Sequence, residues 1–317
     1  MERKITPWQR DYFDRCAALA MENAEDFSAL RRQRLGDELD AAAFPFWRQD
    51  VAEQLQNPGD NCYMLLNGET VEAFGAFQTM GNTAKISLLE GTSQSDLTKL
   101  LVFLLNKMKE QGITHCIVDC DTEPCRERVK AALNEVGFEK NLPHVRYFQT
   151  LKPRPELPET ALQVVPARQE YVEDCVQIAL KLWTIIHRAY ADLIGDDIHD
   201  VVSANWQAAL KENIANQQAR PTSFVALLDG KVVGFCGCRI ENDTLGIIGY
   251  NGVDPEYRGR GIARYMYEAA FDSFRAKGIR HARVFTGGDD GHGPARRAYE
   301  KAGYDKKLLN VTYYKTI

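Results

Sequence analysis

The strongest constraint on the fold is an internal repeat in the sequence. The segment "EQGITHCIVDC" (110–120) aligns with "AKGIRHARVFT" (276–286), and Gly112 matches Gly278 at an offset of 278 minus 112, or 166 residues. The chain ends on the same match, since "HVRYFQTL" aligns with "NVTYYKTI" at that offset. Self-similarity of this kind indicates repeated supersecondary units. We therefore predict that the chain folds as two copies of one domain.

The boundary between the two copies lies in a proline-rich stretch. "LKPRPELPET" contains three prolines, which resist both helix and central strand and form a semi-rigid spacer. With 317 residues in the chain, each copy is long enough to bury its own core. We predict a first domain over 1–152, a linker over 153–160 and a second domain over 161–317.

The second copy has the clearer secondary structure. Asp229-Gly230, between two apolar runs, is the strongest short signal for a β-hairpin. Gly278 and Gly303 each close a helical run. The predicted helices cover 170–190, 201–213, 261–277 and 295–302, and the predicted strands cover 223–228, 231–241, 244–253, 281–286 and the end of the chain. Hairpin strands followed by strand, helix, strand, helix and strand describe an α/β fold of the α+β type with a mixed sheet.

The overall charge argues against a broad attraction to nucleic acid or to an anionic membrane. The net charge is −5, so any anion site must come from a local group of residues. No segment reaches the roughly 20 apolar residues of a membrane span, and the N-terminus is charged and amphipathic. We expect a cytoplasmic protein that binds neither nucleic acid nor membrane, as a monomer or a homodimer.

The eight cysteines are scattered without paired CxxC motifs, which favours reduced thiols. Cys116, Cys120 and Cys125 lie near His115, but their spacing matches no zinc template, and we predict no metal site. Alternating cysteines later in the chain, at 236 and 238, are interpreted as packing residues of a strand.

The segment "DPEYRGRGIARYMYEAA" places a basic, glycine-containing turn between a predicted strand and a predicted helix. The first N–H groups of a helix have no partner within it and lie at the positive end of the helix dipole. Gly259 and Gly261 let an anion approach the main chain. Charge is added by Arg258, Arg260 and Arg264. The turn predicts a site for phosphate oxygens, with a surface loop of solvated arginines as the alternative.

The spacing Arg258-x-x-Gly261-x-Ala263, followed by a long helix, resembles the pyrophosphate-binding motif of the GNAT superfamily of acyl-CoA-dependent N-acyltransferases. The order of strands and helices around the motif is also similar to that family. The resemblance covers about 165–317 well and reaches the first copy through the repeat. It implies two tandem GNAT-like domains, of which the second is catalytic and the first degenerate.

The resemblance also implies that acetyl-CoA is the acyl donor, with its diphosphate on the turn at 259–264. The pantetheine arm would follow the end of the preceding strand, because family members separate two parallel strands there. Main-chain N–H groups in that gap would polarise the thioester carbonyl. The cofactor-binding positions implied in this way are Asn251, Gly252, Val253, Arg258, Gly259, Arg260, Gly261, Ile262, Ala263, Arg264 and His292.

A catalytic role for Tyr299 follows from the same resemblance. Many family members have a tyrosine four residues before the glycine that matches Gly303, where it contacts the coenzyme A sulfur and protonates the departing thiolate. A tyrosine that only packs in the core is the alternative. His292 stands where the family commonly has a cofactor-contacting asparagine, so this chain departs from the family there; a loop histidine that caps the turn is the alternative.

The first copy lacks these features. "TSQSDL" (92–97) takes the place of the Arg-Gly turn, without glycine or base, and puts Asp96 where an anion would lie. Tyr299 aligns with Leu133, which has no proton to donate, at the offset of 166 residues. We predict that one cofactor binds per chain, in the second copy.

The acceptor and the general base are less well defined. Relatives often have a glutamate on the strand before the turn, but "TLGIIGYNGV" has no carboxylate, which leaves Glu241 as a candidate base or a solvated hairpin residue. The family holds its acceptor mainly with the first two helices of the domain, and here four aspartates and three aromatic residues lie near their connection. These are Asp192, Asp196, Asp197, Asp200, Trp183, Tyr190 and Trp206. The aspartates would favour a cationic amine, or they are helix caps and surface residues.

Together these features predict an N-acetyltransferase that moves the acetyl group to a primary amine of a small molecule by direct attack in a ternary complex. The tandem arrangement also resembles mycothiol synthases and some antibiotic-modifying acetyltransferases, and no motif selects either acceptor. The alternative is a non-catalytic acyl-CoA-binding sensor or interaction protein, against which Tyr299 argues. A nucleotide-binding module is disfavoured, because the P-loop signature is absent.

Overall fold

The structure, a computed structural model, describes residues 3–56, 58–121 and 127–317. The first half contains β1 (Arg3–Pro7), α1 (Phe13–Leu35), α2 (Asp37–Ala43), α3 (Trp47–Gln56), β2 (Cys62–Asn67), β3 (Thr70–Met80), β4 (Thr83–Gly91), α4 (Gln94–Glu110), β5 (His115–Asp121), α5 (Glu127–Glu135) and β6 (Lys140–Thr150). The second half contains β7 (Gln163–Pro166), α6 (Val172–Ile194), α7 (Asp196–Val202), α8 (Trp206–Gln218), β8 (Phe224–Leu228), β9 (Lys231–Glu241), β10 (Leu245–Val253), α9 (Ile262–Ala276), β11 (His281–Gly287), α10 (Gly293–Lys301) and β12 (Lys306–Thr316). The order of strands and helices is the same in both halves, which confirms the predicted repeat and the mixed α/β fold.

The strands of both halves form one continuous sheet of twelve strands in the described part of the chain. Its order is β1-β2-β3-β4-β5-β12-β6-β11-β10-β9-β8-β7. The pairs β4–β5 and β10–β11 are parallel, and the remaining pairs are antiparallel. The last strands of the two halves are exchanged, because β6 lies between β11 and β12, and β12 lies between β5 and β6. Each half therefore takes its final strand from the other half.

Two short helices also cross from one half to the other. Leu39 on α2 of the first half packs in a buried cluster with Ile247 on β10. Ile198 on α7 of the second half packs in a buried cluster with Leu142 on β6. The exchange of strands is thus accompanied by apolar contacts in both directions.

The predicted elements of the second half agree with the structure, with one exception. Asp229 and Gly230 have φ of +51° and +78°, the left-handed conformations that a two-residue hairpin turn requires. The start of the helix predicted over 201–213 was wrong, because α7 ends at Val202 and α8 begins at Trp206. Gly195, with φ of +93°, ends α6, and acidic residues in the next turn favour a new helix start.

The structure also bears on the sequence predictions for the cysteines, the linker and membrane-spanning helices. Cys236 and Cys238 are buried in the core beneath α9, as predicted for packing residues. Cys116 and Cys120 are buried in the core of the first half, whereas Cys125 lies outside the described residues. The chain over 151–162 has no helix or strand. None of the described helices is both long and apolar enough to cross a membrane.

Candidate active site

The Arg-Gly turn lies where β10 leads into α9. Gly259 and Gly261 have φ of +81° and +75°, a conformation that favours glycine. A Cβ atom at Gly259 would meet no atom within 4 Å, so the space in front of the turn is open. In the first turn of α9, the Arg264 N–H bonds the Gly261 carbonyl at 2.9 Å, but the N–H groups of the two residues before it have no partner inside the helix, and the helix dipole places positive charge there. The turn therefore has the geometry of an anion-binding site.

A cavity of about 1210 Å³ extends from this turn along β10 to the end of β11. Most of the positions predicted to contact the cofactor line it. These are Asn251, Gly252, Val253, Arg258, Gly259, Gly261, Ile262, Ala263, Arg264 and His292. Arg260 is the exception, because it does not line the cavity. Its guanidinium carbon lies 5.2 Å from the ring centroid of Tyr257.

Strands β10 and β11 separate in the middle of this cavity. Their parallel ladder joins Leu245 to His281 and ends with Ile248 opposite Val284. The register between β9 and β10 also shifts between Ile248 and Asn251, as in a β-bulge. The gap exposes the edge of β10 from 249 to 253, in agreement with the strand separation that the family resemblance implies.

Tyr299 on α10 lies at this gap, and only 3% of the residue is exposed. Asn251 Nδ2 donates a hydrogen bond to the Tyr299 oxygen at 3.1 Å. Asn251 Oδ1 accepts from the Tyr267 hydroxyl at 2.8 Å and lies 3.3 Å from the Tyr299 oxygen. Burial raises the pKa of Tyr299 to about 12, although the hydrogen bond from Asn251 opposes the shift. Tyr299 is thus a neutral phenol whose proton can be donated to a better-placed acceptor in the cavity.

Residues 186–304, which carry the turn, the gap and Tyr299, match the acetyltransferase (GNAT) family. The second half contains a GNAT acetyltransferase domain. Members of this family take an acyl group from an acyl-CoA donor, generally acetyl-CoA.

Two relatives are described as mycothiol acetyltransferases. The protein from Thermomonospora curvata is 28% identical over 107 residues, which cover 32% of this chain and 35% of the relative. The protein from Thermobispora bispora is 26% identical over 182 residues, which cover 53% of this chain and 54% of the relative. The chain therefore matches about half of the length of these relatives or less.

Two solved structures share the fold over nearly the whole chain. A GCN5-related N-acetyltransferase from Sphaerobacter thermophilus has a TM-score of 0.63 at 16% identity and covers 99% of this chain and 95% of its own. A tandem GNAT protein from the clavulanic acid biosynthesis pathway has a TM-score of 0.56 at 13% identity and covers 99% and 98%. The chain as a whole therefore has the fold of two GNAT domains in tandem.

His292 in the GNAT domain is held in a fixed orientation. Its Nδ1 lies 2.6 Å from Asp289 Oδ2, and its ring stacks on Tyr190 of α6 with centroids 5.9 Å apart. Burial would raise the pKa of Asp289, but the hydrogen bonds from His292 outweigh this effect and lower it. The Nε2 atom is the part of the ring left for a ligand in the cavity.

Aromatic side chains from α6, α8 and β10 form another wall of the cavity. The rings of Trp183 and Tyr250 lie 5.2 Å apart, and His187 stacks on Trp206 at 4.1 Å. His187 Nδ1 lies 3.0 Å from His199 Nε2. Burial, and then the nearby His199, lower the pKa of His187 to about 4. The wall is therefore largely uncharged at neutral pH.

The four aspartates near the α6–α7 connection do not line the cavity, contrary to the expectation that they would attract a cationic amine. Asp192 and Asp196 pair with Arg188 at 3.2 and 3.8 Å, and their side chains are exposed. Asp196 and Asp197 form the first turn of α7, where negative charge is favourable. These residues act as helix and surface residues.

Glu241 is also outside the cavity lining, so the structure does not support it as a base. Its Oε1 lies 3.2 Å from Arg239 Nη2, and its Oε2 lies 3.1 Å from Arg283 Nη2. Because both carboxylate oxygens are held by guanidinium groups, Glu241 is poorly placed to accept a proton from an amine.

Several residues of the cavity were missed in the sequence because separate elements bring them together. Gln217 on α8 accepts a hydrogen bond from the Tyr250 N–H at 2.9 Å. A Cβ atom at Gly237 or Gly249 would lie 2.3 Å from Gln217 Oε1. The two glycines, in neighbouring strands, leave the space that the Gln217 side chain fills. They were the one signal in the sequence for a side chain packed against the sheet at this point. Other missed lining residues with polar, charged or aromatic side chains include His187, Arg239, Tyr250, Tyr267, Arg283, Phe285, Arg297 and Lys301.

Proposed function

We propose that the protein is an N-acetyltransferase that transfers the acetyl group of acetyl-CoA to a primary amine of a small molecule, by direct attack in a ternary complex. The observation that carries the proposal is the cavity itself, since the anion-binding turn, the gap beside β10 and the Tyr299 hydroxyl all open into it. The GNAT match and the relatives described as mycothiol acetyltransferases support acetyl transfer.

Acetyl-CoA supplies the acetyl group as an activated thioester. The turn at 259–264 fits its diphosphate, because the glycines leave the main chain accessible and Arg258 and Arg264 line the same space. Arg297 and Lys301 on α10 add positive charge to the lining. The edge of β10 beyond Ile248 is free of β11 and provides main-chain groups for the thioester arm.

Tyr299 is proposed as the general acid that protonates the leaving sulfur. Its oxygen accepts a hydrogen bond from Asn251, which fixes the phenol, and its raised pKa keeps the proton on at neutral pH. A positioned donor of this kind lowers the barrier for expulsion of a thiolate.

The amine must lose a proton when it attacks, and the cavity offers two histidines that can accept it. His187 is the poorer base because burial lowers its pKa to about 4. His292 is better placed, since Asp289 holds its Nδ1 and leaves Nε2 toward the cavity. We therefore propose His292 as general base, in place of the cofactor contact that the family resemblance implies.

The first domain, 1–152, is proposed to be a degenerate copy joined by the linker at 153–160 to the catalytic domain, 161–317. At the N-terminus of α4, Ser93 Oγ accepts a hydrogen bond from the Asp96 N–H at 3.2 Å, and Arg3 pairs with Asp96 at 3.0 Å. The position that would receive a diphosphate is thus occupied by the chain's own groups.

The test is release of free coenzyme A from acetyl-CoA in the presence of a broad panel of small primary amines, with product identified by mass spectrometry. We expect one class of amine to stimulate release and to be acetylated. If acetyl-CoA raises the melting temperature but no amine stimulates release, the non-catalytic sensor is the better description.

A further inference from the structure

We propose that the acceptor carries an anionic oxygen group, such as a carboxylate or a phosphate, separated from its amine, and that Arg239 and Arg283 bind this group. The inference rests on the proposed acetyl transfer, because it concerns the second substrate of the same cavity. It identifies a subsite at the end of the cavity that is remote from the Arg-Gly turn.

The two arginines lie on one face of the sheet. Arg239 on β9 pairs with Ile247 on β10, and Ile247 pairs with Arg283 on β11. Residues directly opposite each other in neighbouring strands project to the same side. Both arginines line the cavity, and Phe285 lines it two residues further along β11. The sheet therefore presents two guanidinium groups to one space.

This subsite has more positive charge than the described contacts neutralise. Glu241 bridges Arg239 and Arg283 through one nitrogen of each, so a single carboxylate serves two cations. A guanidinium has five N–H donors, and an anion can accept several of the remaining ones. Only 20% of the Arg283 side chain is exposed, and burial lowers its pKa, as do the charges of Arg146 and Arg239, while Glu241 opposes the shift. An anionic ligand would relieve this repulsion.

The rest of the cavity gives a cationic acceptor group no carboxylate partner. Its described lining contains no aspartate or glutamate, whereas the basic residues at the other end belong to the proposed donor site. Between the two ends the wall is apolar or aromatic, with Trp183, Tyr250 and Phe285. An acceptor with an apolar middle and an anionic end is therefore complementary to the cavity.

The spacing favours an acceptor whose amine and anion are several bonds apart. Ile247, between the two arginines, is four residues before Asn251, which contacts Tyr299. Four residues of a strand span about 13 Å. An α-amino acid would have to rely on fully extended guanidinium groups to reach both places. Amines with a terminal anion several bonds away fit the distance.

The experiment compares matched amines as acceptors in the thiol-release assay. The probes are 6-aminohexanoate, 6-aminohexyl phosphate, the neutral 6-aminohexanol and the α-amino acid norleucine. We expect the wild type to prefer one or both terminal anions over the alcohol by about 10- to 100-fold in kcat/KM, the value of a charge-assisted contact. The two anionic probes distinguish a carboxylate site from a phosphate site.

Variants of the subsite should change this preference through KM. Arg283→Gln or Arg239→Gln should raise KM for the anionic probe with little change in kcat. The kcat and KM for the alcohol should stay nearly unchanged. Glu241→Gln should lower KM for the anion, because it removes the competing carboxylate. Arg280→Gln is the matched control, since Arg280 is on the approach to β11, pairs with Glu38 and is outside the cavity lining.

Equal use of the acid, phosphate and alcohol, or an unchanged preference in Arg283→Gln and Arg239→Gln, would overturn the inference while acetyl transfer stands. If no probe is acetylated, thermal shifts with coenzyme A present decide the question. A shift with 6-aminohexanoate or 6-aminohexyl phosphate that is absent with the alcohol, and lost in Arg283→Gln, supports the subsite although the transfer reaction with these amines fails. No shift with either anion rejects the subsite.

Discussion

At the scale of single residues, the chemistry depends on how the Tyr299 hydroxyl is held. Asn251 donates a hydrogen bond to the Tyr299 oxygen, and the Tyr267 hydroxyl donates one to the Asn251 side-chain oxygen. The three side chains therefore form a fixed hydrogen-bonded group beside a largely apolar core. A buried phenol with a raised pKa keeps its proton until a stronger acceptor forms nearby. In the proposed reaction, the departing thiolate is such an acceptor.

Tyr299→Phe should therefore lower kcat by about 10² to 10⁴, the usual contribution of a general acid, with little change in acetyl-CoA affinity. Steady-state and single-turnover assays with a saturating amine would measure the effect. The matched control is Tyr304→Phe, because Tyr304 packs 6.0 Å from the Tyr299 ring but does not line the cavity. Equal turnover of wild type and Tyr299→Phe, with chemistry rate-limiting, would make Tyr299 a packing residue.

His292→Asn tests the base against the cofactor contact, because asparagine is the residue that the family commonly has at this place. If His292 only contacts the cofactor, asparagine should make the same contact, and both acetyl-CoA affinity and turnover should be kept. A general base would be lost, so kcat should fall by about 10² to 10⁴ while acetyl-CoA binds as before. Calorimetry for binding and thiol release for turnover separate the two roles.

At the scale of elements, the proposed donor site depends on the start of α9. Gly261 and Gly278 flank this helix, and both have φ of +75°. Gly261 lines the cavity, whereas Gly278 is at the far end of the helix and outside the lining. The two positions therefore separate backbone strain from loss of the anion site.

Gly261→Val and Gly278→Val should both lower the melting temperature, since a left-handed conformation costs an L-residue about 1 to 2 kcal/mol. Acetyl-CoA should raise the melting temperature of the wild type and of Gly278→Val. It should not raise that of Gly261→Val, because the valine side chain meets the diphosphate. Thermal unfolding with and without acetyl-CoA is the measurement. A full ligand shift in Gly261→Val would place the donor elsewhere.

The matching helix of the first half, α4, leads to a stoichiometry prediction. Its first turn is closed by Ser93 and by the buried Asp96, which pairs with Arg3. A diphosphate beside this carboxylate would be repelled. Calorimetric titration should give one acetyl-CoA per chain, and two equivalent sites would contradict the prediction.

The sequence predicted the elements and the donor turn because each depends on neighbouring residues, such as Asp229-Gly230 or Gly261. It also held a signal that was missed: "LGDELD" (35–40) aligns with "IGDDIH" (194–199), which extends the repeat to α2 and α7. The strand exchange was not predictable, since β6 and β12 have similar sequences and either could join either half. Arg239 and Arg283 come together only through pairing with Ile247, which no local pattern records.

At the scale of the whole molecule, the exchange of β6 and β12 brings a strand of the first half against the helix that carries Tyr299, at the proposed active site. Tyr147 on β6 packs 6.1 Å from the Tyr299 ring and donates a hydrogen bond to Glu300 on α10 at 2.9 Å. Val145 on the same strand belongs to the core that buries α9. The first half thus supplies the strand against which α10, the helix that carries Tyr299, packs.

Cleavage of the chain at a protease site placed within 153–160 should therefore not separate the halves. The cut lies in a segment without helix or strand, while β6 remains hydrogen-bonded to β11 and β12 on both sides. We expect the cut protein to elute as one particle by size-exclusion chromatography and to keep its turnover. The piece 161–317 produced alone should lose cooperative unfolding and activity, because β11 and β12 lack the strand between them, and addition of 1–152 during refolding should restore both. Turnover by 161–317 alone, or separation of the pieces in native buffer, would show that the exchanged strands do not join the halves.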